Sequence, residues 1–334
     1  MFERYLKIPK IPKKNNFTLI RMVCCFVVIY EHSIYLSGID FLILNIREFA
    51  VKVFFILSGF WVTISLLRSE SIKEYAVKRC KKILPPYWTV VIVGALLLCA
   101  FTTLSAKEYF TDAGFWKYLF ANIFSLNFLH PSLPGVFEGL PLNGAVNGAL
   151  WTIKIELAFY VCLPFVLCFL NNYKNVRGGV LIAMYFLSFL YSVGCHWLVA
   201  LKPSLAPLQN QFPAFVTYFS CGMAFALFWE PLLKILNYAV APAFALLVLC
   251  LWLDNFILSA LVLPLALSLV VFWFALRLPF GGRLVKNDFS FGMYLVHYPI
   301  VMLFVQQGFF ASCWGLAFAG VIGLSFLCSY MLAK

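Results

Sequence analysis

Long apolar stretches, separated by shorter polar ones, occupy most of the chain. A helix needs about 20 consecutive apolar residues to cross the hydrocarbon core of a bilayer. Stretches near that length lie at 17–37, 43–67, 87–105, 150–170, 179–201, 212–229, 237–253, 256–277, 290–309 and 312–333. The pattern predicts an all-α, polytopic membrane helical bundle with about ten transmembrane helices.

The stretch between the third and fourth predicted spans has a different pattern. Residues 105–148 form the longest polar-leaning part of the chain. Within them, Phe115 to Leu129 is apolar but short for a crossing, so a re-entrant or interfacial segment is predicted. No repeat or soluble segment stands out, and residues 1–334 are expected to form one membrane domain without a soluble C-terminal domain.

Basic residues predict the orientation of the spans, because cytoplasmic loops carry an excess of Lys and Arg. With the N-terminus inside, 19 of the 25 Lys and Arg residues fall on the inner side. Residues 1–16 then form a basic cytoplasmic N-terminus, and 105–148 is the main extracytoplasmic loop. Both termini are predicted to be cytoplasmic.

Composition excludes the soluble classes of protein. The chain is 63% hydrophobic and 11% charged, whereas soluble domains are about 45–50% apolar and 25% charged. The net charge of +12 is attributed to topology signals and anionic lipid, and no nucleic-acid partner is expected. The 11 cysteines show no metal-binding or disulfide spacing, so no metal is expected.

Ionisable residues inside predicted spans are functional candidates, because a charge at the centre of a helix costs at least about 2.5–3.5 kcal/mol. Arg21 and His32 lie eleven residues apart in the first span, which puts them on one helix face about 16 Å apart. An arginine at that edge can hold a phosphate, and an embedded histidine can take up a proton. The alternative is an interfacial anchor and a packing residue. Glu31 points elsewhere and needs another partner.

Other polar positions have comparable settings. Lys52 in the second span is expected near Glu31, while the Ser58-Gly59 pair also suits simple helix packing. An inner loop carries the basic cluster from Lys78 to Lys82, an anchor or an anion site. Glu156 lies about two turns into the fourth span, near the predicted depth of His32. His297 is placed in the inner half of the ninth span.

These motifs, in this order, resemble acyltransferase family 3, a family of integral membrane acyltransferases. The resemblance rests on five motifs spread along the chain: Arg21 to His32, Phe54 to Phe60, Arg79 to Tyr87, Leu150-Trp151 with Glu156 and Phe159-Tyr160, and Ser290 with Tyr294-Leu295 and His297. It implies a cytoplasmic acyl-coenzyme A donor and an acceptor that is usually a sugar hydroxyl on a cell-surface glycan. Departures are Lys52 where many members carry Asp, Glu31 where a hydrophobic residue is usual, and Lys82 in place of Arg.

Residues and resemblance together predict a membrane O-acetyltransferase of the bacterial inner membrane. It is expected to move an acetyl group from acetyl-CoA, a substrate and not a bound cofactor, to a polysaccharide hydroxyl or a lipid-linked precursor such as O-antigen. The candidate catalytic residues are His32, Glu156 and Arg21. Candidates for binding acyl-CoA are Arg21, Arg79, Lys82 and Tyr87. Supporting candidates are Glu31, Lys52, Ser58, Trp151, Tyr160, Ser290, Tyr294 and His297.

Several alternatives remain open at the level of sequence. A transporter or flippase also carries intramembrane charges, and a structural or regulatory membrane subunit is a third reading. Succinyl is an alternative acyl group, and transfer through an acyl-enzyme is an alternative route. The sequence names neither the glycan nor the hydroxyl, and it shows no oligomer signature.

Overall fold

The computed structural model describes residues 8–39, 47–278 and 287–334, and every regular element among them is a helix. The α-helices are α1 Phe17–Ser37, α2 Arg47–Leu67, α3 Ile72–Leu97, α4 Ala106–Thr111, α5 Ala113–Ile123, α6 Trp151–Asn172, α7 Arg177–Leu201, α8 Phe212–Leu227, α9 Trp229–Leu253, α10 Phe256–Arg277, α11 Ser290–Gln306, α12 Phe309–Ser312 and α13 Trp314–Leu332. The predicted all-α class is confirmed.

Each predicted span corresponds to one of these helices. Eight helices in the described ranges are long and apolar enough to cross a membrane. The other two, α8 with 16 residues and α11 with 17 residues, are shorter. A multi-pass membrane protein is therefore established, whereas the total of ten crossings and the side on which each terminus lies stay predictions. The start of the second predicted span, residues 43–46, lies outside the described residues.

The predicted boundary of the third span is wrong. The stretch from Lys78 to Pro86 was expected to be an inner loop, but α3 begins at Ile72 and runs through Pro85 and Pro86. A proline removes one backbone donor from the helix, a loss that transmembrane helices tolerate because neighbouring groups satisfy the exposed carbonyl. The basic cluster therefore lies on the first turns of a long helix that continues into the apolar region.

The described residues fall into two compact units. The first unit comprises Met1–Ile20, Val51–Val77 and Ile155–Lys286, and the second unit comprises Arg21–Ala50, Lys78–Lys154 and Asn287–Lys334.

In the first unit, α2 and α8 pack closely through two glycines. A Cβ at Gly59 would overlap the carbonyl oxygen of Phe219, and one at Gly222 would overlap that of Ile56. Small residues allow such backbone approach, which replaces the hydrophobic effect as a source of helix association in lipid. The packing alternative for the Ser58-Gly59 pair is therefore confirmed for Gly59.

We expect Gly59→Ala to destabilise the protein by about 1–3 kcal/mol, the usual cost of an added group in a filled site. The measurement is the midpoint of thermal unfolding of the purified protein in detergent. Gly94→Ala is the matched control, because no described heavy atom lies within 4 Å of a Cβ there. Equal midpoints for the two variants would contradict the packing role.

In the second unit, α5 runs back along α3. The Tyr109 hydroxyl donates to the carbonyl of Ala95 near the end of α3. About 12 Å further back along that helix, the Tyr87 hydroxyl donates to the carbonyl of Asn122 at 2.6 Å and the Trp88 indole to that of Ile123 at 3.0 Å. These two bonds satisfy carbonyls at the end of α5, which have no partner within the helix itself.

The outward side of α5 is aromatic. Four side chains spaced four residues apart are each more than half exposed: Trp116, Phe120, Phe124 and Phe128. An aromatic face of this kind suits contact with lipid and with the membrane interface. The segment from Phe115 to Leu129 thus contains most of α5 and an exposed aromatic face, and its re-entrant or interfacial placement stays a prediction.

Candidate functional site

The candidate site lies in the second unit, where α1 and α11 run side by side. The Cys25 thiol donates to the backbone carbonyl of Ser290 at 3.4 Å. Seven residues further along each helix, His32 Nδ1 and His297 Nε2 are 2.8 Å apart. Equal seven-residue steps keep two helices in contact over two turns, so the two helices are parallel and in register.

The two imidazoles form a buried pair. His32 is 9% exposed and His297 is fully buried. Their rings are nearly coplanar and meet edge to edge through His32 Nδ1 and His297 Nε2, with centroids 5.1 Å apart and an interplanar angle of 14°. The Tyr298 ring stands edge-on to the His32 ring at 5.3 Å. The rings around His32 thus restrict its rotation, and the pair is held in one arrangement.

The segment that leads into α6 closes against α11 close to the pair. The Asn147 amide donates to the carbonyl of Leu295 at 2.7 Å. The Tyr294 hydroxyl lies 3.0 Å from the Thr152 hydroxyl. Gly148 faces Tyr298 so closely that a Cβ there would lie 2.9 Å from the phenol ring and its hydroxyl. The end of the predicted extracytoplasmic loop therefore contacts the helix turn that carries His297.

Arg21 makes an ion pair at the start of α11. Arg21 Nη1 lies 2.6 Å from Asp288 Oδ2, and Asp288 Oδ1 accepts hydrogen bonds from the backbone N–H and the hydroxyl of Ser290. The carboxylate thus bridges the guanidinium and the first turn of α11, where a negative charge is favourable. The sequence interpretation missed Asp288, although an aspartate just before a helix is a recognisable capping signal.

The ion pair sets the titration of Asp288. Burial raises the pKa of its carboxyl, but the Arg21 charge and the hydrogen bonds from Ser290 and Arg21 outweigh burial and hold that pKa below its ordinary value. A lowered folded-state pKa stabilises the fold above the ordinary aspartate pKa of about 3.9. That contribution is lost only when the pH falls through the lowered value, so the pair persists through mildly acidic conditions.

The predicted difference in depth between His32 and His297 is wrong. His32 was expected in the outer half of its span and His297 in the inner half of another, but the structure puts the two imidazoles at one level. The reason is an axial offset, because His32 is the sixteenth residue of α1 and His297 the eighth residue of α11. The equal spacing from Cys25 to His32 and from Ser290 to His297 is the sequence signal that indicates this register.

Apart from Arg21 on α1, the predicted donor-binding residues lie along α3. Lys78, Lys81 and Lys82 are exposed and share one helix face, whereas Arg79 is half-buried. Tyr87 is buried and its hydroxyl is bonded to the carbonyl of Asn122. The structure therefore keeps the basic cluster accessible and gives Tyr87 a contact with the end of α5.

The remaining candidates are divided between the two units. In the first unit, the Tyr160 hydroxyl donates to Glu156 Oε1 at 2.5 Å, and Lys52 Nζ lies 6.0 Å from the centre of the Tyr218 ring. In the second unit, Glu31 is 4% exposed, and its Oε1 has no hydrogen-bond partner among the described residues. The pairing of Lys52 with Glu31 and that of Glu156 with His32 would each join the two units, and both stay predictions.

The other supporting candidates have simpler surroundings. Ser290 is buried and bonded to Asp288, and Trp151 opens α6. In the described part of the chain, no hydrogen-bond partner reaches the Ser58 hydroxyl.

This arrangement can carry out acid–base chemistry within a membrane protein. An imidazole held among rings can accept and return a proton, and a guanidinium on the same helix can bind an anion. The fold and the site together define a polytopic membrane protein with a buried histidine pair.

Over residues 14–334 the chain matches the protein family described as an acyltransferase domain. That match covers nearly the whole chain, and the protein belongs to this family. It is therefore a membrane acyltransferase that transfers groups other than aminoacyl groups, and the predicted family is confirmed. Membership of an acyltransferase family therefore decides for an enzyme, against the alternatives of a transporter or a structural subunit.

Curated relatives are similar at a lower level of identity. Nodulation protein 10 of Rhizobium leguminosarum is 26% identical over 343 residues, covering 90% of this chain and 86% of that protein. An O-acetyl transferase of Shigella phage Sf6 is 25% identical over 53% of this chain and 52% of the relative. A peptidoglycan O-acetyltransferase of Listeria monocytogenes is 25% identical over 52% of this chain and 29% of the relative. No solved structure matches the chain.

Proposed function

We propose that this protein is an O-acetyltransferase of the bacterial inner membrane. It takes an acetyl group from cytoplasmic acetyl-CoA and transfers it to a hydroxyl of a cell-surface polysaccharide or of its lipid-linked precursor, such as O-antigen. Family membership supports acyl transfer. Two of the relatives carry O-acetyl transfer in their names, one of them to peptidoglycan, which favours an acetyl group and a glycan acceptor.

The observation that carries the proposal is the buried His32 imidazole, 2.8 Å from His297 and on the helix face that also holds Arg21. A hydroxyl is a weak nucleophile, and it needs a base at the moment of attack. Acid–base catalysis by a positioned histidine contributes about 10²–10⁴-fold to rate. A buried imidazole pair can supply the base that acyl transfer to a hydroxyl needs. A protein that served only as a membrane anchor would not need such a base.

In the proposed reaction, His32 removes the proton of the acceptor hydroxyl while the oxygen attacks the thioester carbonyl carbon. The carbon–sulfur bond then breaks, and the coenzyme A thiolate takes the proton back from the His32 imidazolium. The products are an acetyl ester and free coenzyme A, so atoms and charge balance. Glu156 stays the predicted residue that orients His32 or stabilises its protonated form.

The donor is proposed to enter along the basic residues. Coenzyme A is polyanionic, and the exposed Lys78, Lys81 and Lys82 with the half-buried Arg79 form a cationic surface on α3. Charge-assisted hydrogen bonds from such groups are the usual means of holding phosphates. Arg21 lies about 16 Å from His32 along one helix, a distance that the pantetheine arm could span between the phosphates and the thioester.

The acceptor is proposed to approach from the opposite side, through residues 105–148 and the start of α6. The Asn147–Leu295 and Thr152–Tyr294 contacts attach this segment to the helix that carries His297. A hydroxyl that arrives there would meet the imidazoles without crossing the membrane. The side of the membrane on which this segment lies remains part of the proposal.

The test uses purified full-length protein in lipid nanodiscs with radiolabelled acetyl-CoA. We expect thioester consumption that accelerates when extracted lipid-linked glycans are added, together with label in the glycan fraction. Mass spectrometry of surface glycans from cells with and without the gene then identifies the acyl group and the acceptor. Unchanged glycan masses together with no consumption of acetyl-CoA or succinyl-CoA would overturn the proposal.

A further inference from the structure

His297 has surroundings that fix the position of its own proton. Its Nδ1 lies 2.8 Å from the carbonyl oxygen of Tyr294 and 3.3 Å from that of Met293. Carbonyl oxygens only accept hydrogen bonds, so Nδ1 must carry the hydrogen. Because His297 is fully buried, the neutral imidazole is the favoured form. Its Nε2 is then an unprotonated acceptor.

The protonation of His297 determines which ring nitrogen of His32 carries hydrogen. His32 Nδ1 lies 2.8 Å from that acceptor, and two unprotonated nitrogens at this distance would repel each other. His32 Nδ1 must therefore carry a hydrogen and donate it to His297 Nε2. A neutral imidazole has one N–H only, so the basic lone pair of His32 is on Nε2.

We propose that His297 is a positioning residue that sets the tautomer of His32 and so makes Nε2 its reactive nitrogen. The inference rests on the proposed function for its catalytic meaning. When Nε2 takes the acceptor proton, Nδ1–H still donates to His297, so the developing imidazolium keeps a partner throughout the step. An acidic residue holds the Nδ1–H of the catalytic histidine in serine proteases, and a neutral imidazole fills that role here.

The surrounding contacts keep this arrangement in register. The Cys25 bond to the Ser290 carbonyl and the Arg21–Asp288 ion pair fix the axial position of α1 against α11. The interplanar angle of 14° puts the two rings nearly in one plane, so each nitrogen's in-plane lone pair or N–H faces the other ring. Backbone carbonyls can only accept hydrogen bonds. The direction of donation, from His32 to His297 and from His297 to the carbonyls, is therefore set by the backbone of the helix and not by solvent.

The first test is independent of catalysis. The chain contains four histidines, so a protein carrying His130→Gln and His196→Gln leaves only the pair visible. Solid-state NMR of ¹⁵N-histidine-labelled protein in lipid bilayers distinguishes protonated from unprotonated ring nitrogens. We expect hydrogen on Nδ1 of both His32 and His297. Hydrogen on Nε2 of His32 would overturn the assignment.

The second test compares two replacements of His297. His297→Gln brings an amide oxygen near the position of Nε2 and keeps an acceptor for His32, whereas His297→Leu removes it. We expect kcat to be at least about 10-fold higher for His297→Gln than for His297→Leu, with equal KM for acetyl-CoA, since a charge-stabilising hydrogen bond contributes about 1.5–3 kcal/mol. Equal kcat values in two well-folded variants would show a packing role only.

The two failures can be told apart. If the spectra show Nδ1–H on both rings but the wild-type protein consumes no acyl thioester, the proposed function fails and the assignment of the tautomers stands. If the wild-type protein transfers acetyl groups but His32 carries hydrogen on Nε2, the inference about His297 fails alone.

Discussion

His32→Ala is expected to lower the rate of acetyl transfer by about 10²–10⁴-fold, the contribution of a positioned general base, while the protein still inserts and folds in the membrane. The variant loses the group that accepts the hydroxyl proton. It also leaves His297 Nε2 without the donor that now lies 2.8 Å away, at a cost of about 1–3 kcal/mol. Radiolabelled acetyl transfer in nanodiscs measures the loss.

Two variants make the result specific. His32→Gln keeps an amide that can hydrogen-bond but cannot take up a proton, so it should be as inactive as His32→Ala and better folded. His196→Ala removes an imidazole that stacks on Phe256 in the first unit, with ring centroids 4.0 Å apart, and should keep full activity. Substantial activity in His32→Gln would rule out the imidazole as the base.

Arg21→Gln is expected to raise the KM for acetyl-CoA by about 10–150-fold, equivalent to the 1.5–3 kcal/mol of a hydrogen bond to a charged group. The guanidinium has five N–H donors, and the Asp288 carboxylate accepts from one of its nitrogens at 2.6 Å. The measurement is initial-rate kinetics at varied acetyl-CoA.

Asp288→Asn separates donor binding from helix register. This variant removes a negative charge that competes with phosphate, so its KM should be unchanged or lower than that of the wild type. The exchange variant Arg21→Asp with Asp288→Arg restores the ion pair and moves the cation to α11. Restored KM in the exchange variant would show that Arg21 acts only through the ion pair, which would contradict a phosphate contact.

The helices could be predicted from sequence because insertion into a bilayer depends on the local apolar character of a segment. All predicted spans have a helical counterpart, and the first predicted span agrees with α1 at both ends. The prediction failed at the start of α3, where two adjacent prolines suggested a boundary. In a soluble helix they would break the structure, but in α3 they are inside it.

The candidate residues could also be predicted from the sequence around each of them. A charge or an imidazole inside an apolar stretch is energetically costly, so its presence suggests a function. This reasoning missed Asp288 as the ion-pair partner of Arg21, and it missed that His32 and His297 lie side by side. Asp288 was not singled out because it lies outside the apolar runs. His32 and His297 were put at different depths because the ends of a predicted span do not fix its axial position. Both errors concern the relation of one helix to another.

By itself, the sequence determined that this is a helical membrane protein, which stretches form its apolar helices, and which polar residues require an explanation. Only the tertiary structure decided that α1 and α11 are parallel neighbours, and that His32 meets His297 across 265 positions of sequence. The physical reason is that insertion is a property of one segment in lipid. Pairing depends instead on close packing and hydrogen bonds between distant segments, and these set the register that places the two imidazoles together.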